Sequence, residues 1–68
     1  MDEKAILALL LHIAGNPQEH EEVRTAAVEA LKRWKHAPAV VDFFSRVVRN
    51  GQEHPRVRAA AIRALAAA

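Results

Sequence analysis

The stretch at residues 16–31, NPQEHEEVRTAAVEAL, is written again 34 residues later, at 50–65, as NGQEHPRVRAAAIRAL. Ten of the sixteen positions are identical without a gap: Asn16/Asn50, Gln18/Gln52, Glu19/Glu53, His20/His54, Val23/Val57, Arg24/Arg58, Ala26/Ala60, Ala27/Ala61, Ala30/Ala64 and Leu31/Leu65. A repeat of this period marks architectures that stack one supersecondary unit on the next, because a single unit cannot bury its own apolar face. The offset divides the 68-residue chain into two units, 1–34 and 35–68, within one domain, 1–68.

A chain this short buries little apolar surface and usually needs a disulfide, a metal or a partner to be stable. There is no cysteine, which removes disulfides and is expected of a protein of the reducing cytoplasm. The apolar run at 5–11 is preceded by Asp2 and Glu3, unlike a secretory signal, and is too short to span a bilayer. The aromatic residues are few, Trp34, Phe43 and Phe44, and alanine supplies much of the remaining hydrophobic content, which favours closely packed helices.

Helix signals place four segments. The first runs over 3–14, with Asp2 as N-cap and Gly15, Asn16 and Pro17 as its stop. The second spans 21–35, opened by Glu21 and Glu22 and closed by Lys32, Arg33 and Lys35. Its apolar positions Val23, Ala26, Ala27, Ala30, Leu31 and Trp34 recur in steps of three and four, so they are expected to form one buried stripe. Pro38 suits the first turn of a third helix reaching residue 50 through Val40, Val41, Phe43, Phe44, Val47 and Val48, with Gly51 as stop. Pro55 opens a fourth, with the stripe Val57, Ala60, Ala61, Ala64 and Leu65. The first helices of the two units align by pattern, 5–14 onto 39–48. The fold class is all-α, two antiparallel helix hairpins with no strand signal.

The segments VRTAAVEAL at 23–31 and VRAAAIRAL at 57–65 resemble the second-helix signature of HEAT repeats, most closely the short HEAT-like type of phycobilisome lyases and related scaffold proteins. The resemblance covers nearly the whole chain as two units. It implies an α-solenoid, a non-catalytic protein–protein scaffold, and an inter-repeat structural role for Arg24 and Arg58. In the family such arginines bond loop carbonyls or carboxylates. The turn here carries no aspartate where the family often has one, and Glu19 and Glu53 are the candidates to take its place. Any heterologous protein partner is expected, by the same analogy, along the second-helix face outside the main stripe, where Arg24, Val28, Lys32, Arg58 and Ile62 lie.

Repeat arrays expose apolar surface at their ends unless the terminal units are rewritten as polar caps. Neither end is rewritten here. At about 100° per residue, the apolar positions Ile6, Leu7, Leu9, Leu10, Leu11 and Ile13 sweep an arc of about 200°, against roughly 100° for an ordinary surface helix. At the other end Ala59, Ala60, Ala61, Ala64, Ala66, Ala67 and Ala68 leave the fourth helix smooth, with Ile62 off the stripe. Two units also fall short of the roughly three that a stable stack needs. The chain is therefore expected to self-associate through Ile6, Leu7, Leu10, Leu11, Ile62 and Leu65.

Residues 1–34 carry four Lys/Arg against six Asp/Glu, whereas 35–68 carry six against two. This polarity favours contacts between unlike halves. A twofold antiparallel homodimer meets it and is the commoner solution; a head-to-tail ring or fibre, or exchange of hairpins through the link at 35–38, meets it too. The chain brackets two repeats with no remainder, as expected of a fragment of a longer solenoid or an engineered minimal unit.

Chemistry-bearing constellations are sparse. His20 and His54 are equivalent positions, so stacking sets them about 10 Å apart, too far for one ion. His12 and His36 have no neighbour at ligand spacing, so the histidines are expected to be exposed or to cap helices, with no metal. The only side-chain hydroxyls, Thr25 and Ser45, adjoin no histidine, and Gly15 and Gly51 are isolated turn residues, so no nucleophile or phosphate loop is assembled. No enzyme and no cofactor is expected. The cations Lys32, Arg33, Lys35, Arg46, Arg49, Arg56, Arg58 and Arg63 are the basis of the alternative, binding to a nucleic-acid backbone, although no base-reading cluster opens either second helix.

Overall fold

The computed structural model describes residues 2–67. Met1 and Ala68, which bound the two-repeat span, lie outside the described residues. Four helices form: α1 Glu3–Gly15, α2 Glu21–Leu31, α3 Pro38–Arg49 and α4 Pro55–Ala66. Asp2 caps α1 by accepting the Ala5 N–H at 2.8 Å, and Pro38 and Pro55 occupy first-turn positions where no N–H is needed. The helical stretch after Leu31 tightens into a 3-10 turn at Lys32–Trp34, closed by Lys35 N–H donating to the Lys32 carbonyl at 3.1 Å. Such a turn satisfies carbonyls left over at a helix end. Neither glycine takes a left-handed φ. Gly15 ends α1 beside Phe43, where a β-carbon would meet the ring at 3.4 Å, an ordinary van der Waals contact.

The interhelix loops explain why Asn and His recur in both units. Asn16 and Asn50 each accept the N–H two residues on, from Gln18 and Gln52, at 3.0 Å. His20 and His54 each accept through Nδ1 an N–H of the following helix, from Glu22 and Arg56, again at 3.0 Å. Two loops with the same hydrogen bonds thus open the two second helices alike.

The helices pair as α1 with α2 and α3 with α4, and the hairpins stack chiefly through α2 against α4. Phe44, Leu31, Val28, Val40 and Val57 are fully buried between them. Phe43 and Phe44 are both buried, although consecutive residues point about 100° apart. That is possible because α3 is flanked both by α4 and by the first hairpin. Trp34 packs at the edge of the core, half-buried, with the Arg33 guanidinium 5.3 Å from its ring centre.

Two expected stripes are corrected. In α2, Ala27 and Leu31 are buried as expected, but Val23, Ala26 and Ala30 are exposed and Val28 is buried. In α4, Val57, Ala60, Ala61 and Ala64 are buried while Leu65 is exposed. Val28 therefore offers a partner no surface. The reason is that each second helix has a stacked neighbour on one side only, and the side differs between the two units.

Candidate functional site

Aligning the units at the 34-residue offset sorts the apolar positions into two faces. One set is exposed in the first unit and buried in the second: Ile6 against Val40, Leu9 against Phe43, Val23 against Val57. The other set is buried in the first and exposed in the second: Val28 against Ile62 and Leu31 against Leu65. The first set faces a preceding unit and the second a following one. The molecule therefore ends in two open surfaces. The front carries Ile6, Leu9, Val23, Ala26 and Ala30; the back carries Val41, Ile62 and Leu65.

The expected self-association residues divide accordingly. Ile6, Ile62 and Leu65 are exposed, the last two by 48% and 43%. Leu7, Leu10 and Leu11 are half-buried and pack onto the core, because that side of α1 meets its own hairpin and the second unit. Leu9, 47% exposed, was not singled out for the front surface, nor were Val23 and Val41. Their sequence signal is the 34-residue shift itself, since Phe43 and Val57, the counterparts of Leu9 and Val23, lie on the expected core.

The seam between units is pinned by Arg24. Its Nε donates to the Ala14 carbonyl at 2.9 Å, near the C-terminus of α1, where a cation also meets the negative end of the helix dipole. Its two terminal nitrogens donate to the two Glu53 carboxylate oxygens at 2.7 and 2.8 Å. This bidentate pair is among the stronger hydrogen-bonded arrangements in proteins. The Arg24 guanidinium, opposed by desolvation, holds the Glu53 carboxyl below its usual range, with further help from the His54 N–H. Beside it, His54 donates from Nε2 to the Glu21 carboxylate, a second link across the seam.

Arg58 is the counterpart of Arg24. One of its terminal nitrogens donates to the Val48 carbonyl at 2.8 Å, and Val48 is the counterpart of Ala14. Among the described residues no acidic side chain meets it, and its Nε is buried without a hydrogen-bond partner there. The carboxylate of Glu19, the counterpart of Glu53, accepts the N–H of His20 at 3.3 Å and, among the described residues, meets no arginine.

Four of the other cations are engaged locally. Arg46 pairs with Asp42 at 3.1 Å, Arg33 lies 3.9 Å from Glu3, Arg49 donates to the Ser45 carbonyl, and Lys35 donates to the Ala67 carbonyl. Lys32, Arg56 and Arg63 are exposed. Among the described residues no group of His, Asp and Glu is placed to hold a metal ion, and no helix is long and apolar enough to cross a membrane. An open concavity between the two loops is lined by Glu21, Arg24, Glu53 and His54, whose polar groups already bond one another.

A family model described as HEAT repeats matches residues 2–68. No curated protein and no solved structure matches the chain.

Proposed function

Because the chain belongs to the HEAT-repeat family, whose members are generally non-catalytic scaffolds for protein–protein interaction, we propose that it is an interaction module whose first partner is itself. The observation that carries this reading is the pair of open apolar surfaces, Ile6, Leu9 and Val23 at the front and Ile62 and Leu65 at the back. Each is the counterpart of a surface buried at the seam. Apolar area left in water is the main favourable term available to association. Large side chains gathered on one face mark interaction surfaces more than scattered ones do. The acidic first unit and the basic second add steering between copies.

Sedimentation equilibrium over a wide concentration range, with helicity followed by circular dichroism, tests the reading. The expected result is a species of two or more chains whose dissociation costs helicity. A stable, fully helical monomer at every concentration overturns it.

A further inference from the structure

The geometry points to a specific mode of association: a second copy docks head-to-tail, back surface onto front surface, and Arg58 of one copy clasps Glu19 of the next as Arg24 clasps Glu53 within the chain. This rests on the reading that the chain self-associates, and goes beyond it in naming the faces, the order and the ion pair.

Two independent observations carry it. The first is the exchange of burial between counterparts. Val57 is covered by a preceding unit, and Val23, the same residue one unit earlier, is bare; Leu31 is covered by a following unit, and Leu65 is bare. Placing the front of one copy on the back of another covers both sets in a single contact, whereas pairing like ends sets bare Val23 against bare Val23.

The second is the state of Arg58. It reproduces half of the Arg24 arrangement, bonding the carbonyl near the C-terminus of its own first helix, and leaves its Nε buried and unpaired. With a carboxylate in the Glu53 position, the guanidinium can turn as Arg24 has, giving Nε to the Val48 carbonyl and both terminal nitrogens to the carboxylate. Buried polar groups without partners are rare, and one docked glutamate removes this one. Glu19 is the residue that the repeat supplies at that place. The front unit also carries Glu22 and Glu29, and the back unit carries Arg56 and Arg63 at the equivalent positions, so the two units are complementary in charge.

A junction copied from the seam leaves a free front and a free back after each addition, so the mass of the assembly passes two chains as concentration rises. Leu9→Lys blocks the front and Ile62→Lys blocks the back, each at an exposed helical position where the chain itself keeps its fold, as circular dichroism would verify. Each variant alone is expected to sediment as one chain where the unaltered protein is assembled. An equimolar mixture is expected to form a 1:1 heterodimer that grows no further, through the free back of one and the free front of the other. Homodimers of either variant, failure of the mixture to pair, or an unaltered protein that stops at two chains each overturn the head-to-tail mode. An unaltered protein that is one chain throughout removes the self-association reading itself.

For the ion pair, Arg58→Ala and Glu19→Ala are each expected to weaken assembly by about ten-fold or more, and the double variant by no more than either alone. Independent, additive losses overturn the Arg58–Glu19 contact.

Discussion

The two units differ most where they are most alike. Val23 and Val57 sit at the same point of the same loop–helix unit, yet Val23 is 44% exposed and Val57 is fully buried. Leu31 and Leu65 show the reverse, 0% against 43%. Helix face, residue type and local loop are common to each pair, so none of them sets burial. What sets it is whether another unit lies on that side. The arginines repeat the lesson: Arg24 has a carboxylate because a following unit supplies one, and Arg58 has a carbonyl alone.

Substituting both members of a pair tests this directly. Leu31→Ala removes a fully buried side chain and is expected to cost about 2–5 kcal/mol of unfolding free energy. Leu65→Ala in the dilute chain is expected to cost about 0.5 kcal/mol or less, as for an ordinary surface change. Urea denaturation of both variants measures the gap; equal losses would mean that the back of α4 is covered within the monomer.

A smaller asymmetry is expected for the arginines. Arg24→Ala strands Glu53 at the seam and should destabilise by about 2–3 kcal/mol, whereas Arg58→Ala, losing one bond to a carbonyl, should cost about 1 kcal/mol. Denaturation at low protein concentration keeps association out of the comparison.

Acid provides a graded version of the same break. The folded chain holds the Glu53 proton more weakly than the unfolded chain does, so the unfolded chain binds the extra proton at low pH. The stability that this carboxylate contributes is complete above its ordinary value of 4.5 and is lost as pH falls through its lower folded value. Thermal midpoints between pH 5 and lower pH should therefore drop less in Glu53→Gln than in the unaltered protein, and parallel profiles would show that the pair contributes no pH dependence.

The gentlest test transfers a residue from one loop to the other. Pro17 and Gly51 are counterparts in loops of the same form. Asn50, at φ −84° and ψ 103°, has the extended backbone that Asn16, at −84° and 108°, already adopts before a proline. Gly51→Pro is expected to stabilise by about 0.4–1 kcal/mol by restricting the unfolded chain. A loss in thermal midpoint would show that the loops are less interchangeable than their hydrogen bonds imply.

The repeat, the four helices, the capping residues and the family were legible in the sequence, because they depend on signals within a few residues: a proline at a first turn, an aspartate before one, apolar steps of three and four. So was Glu53 as a candidate partner for a seam arginine. The direction in which each second helix faces was not. Val23, Ala26, Ala27, Val28, Ala30 and Leu31 are apolar over most of the circumference of α2, because the repeat motif serves a neighbour on either side. Periodicity cannot say which neighbour is present. Only the stacking of α2 on α4 decides that Val28 and Leu31 go in while Val23 stays out, and that Glu53 meets Arg24 while Glu19 and Arg58 are left at opposite ends. Local structure follows from local sequence, whereas burial is a relation between surfaces, and a repeated sequence writes both halves of that relation into every unit.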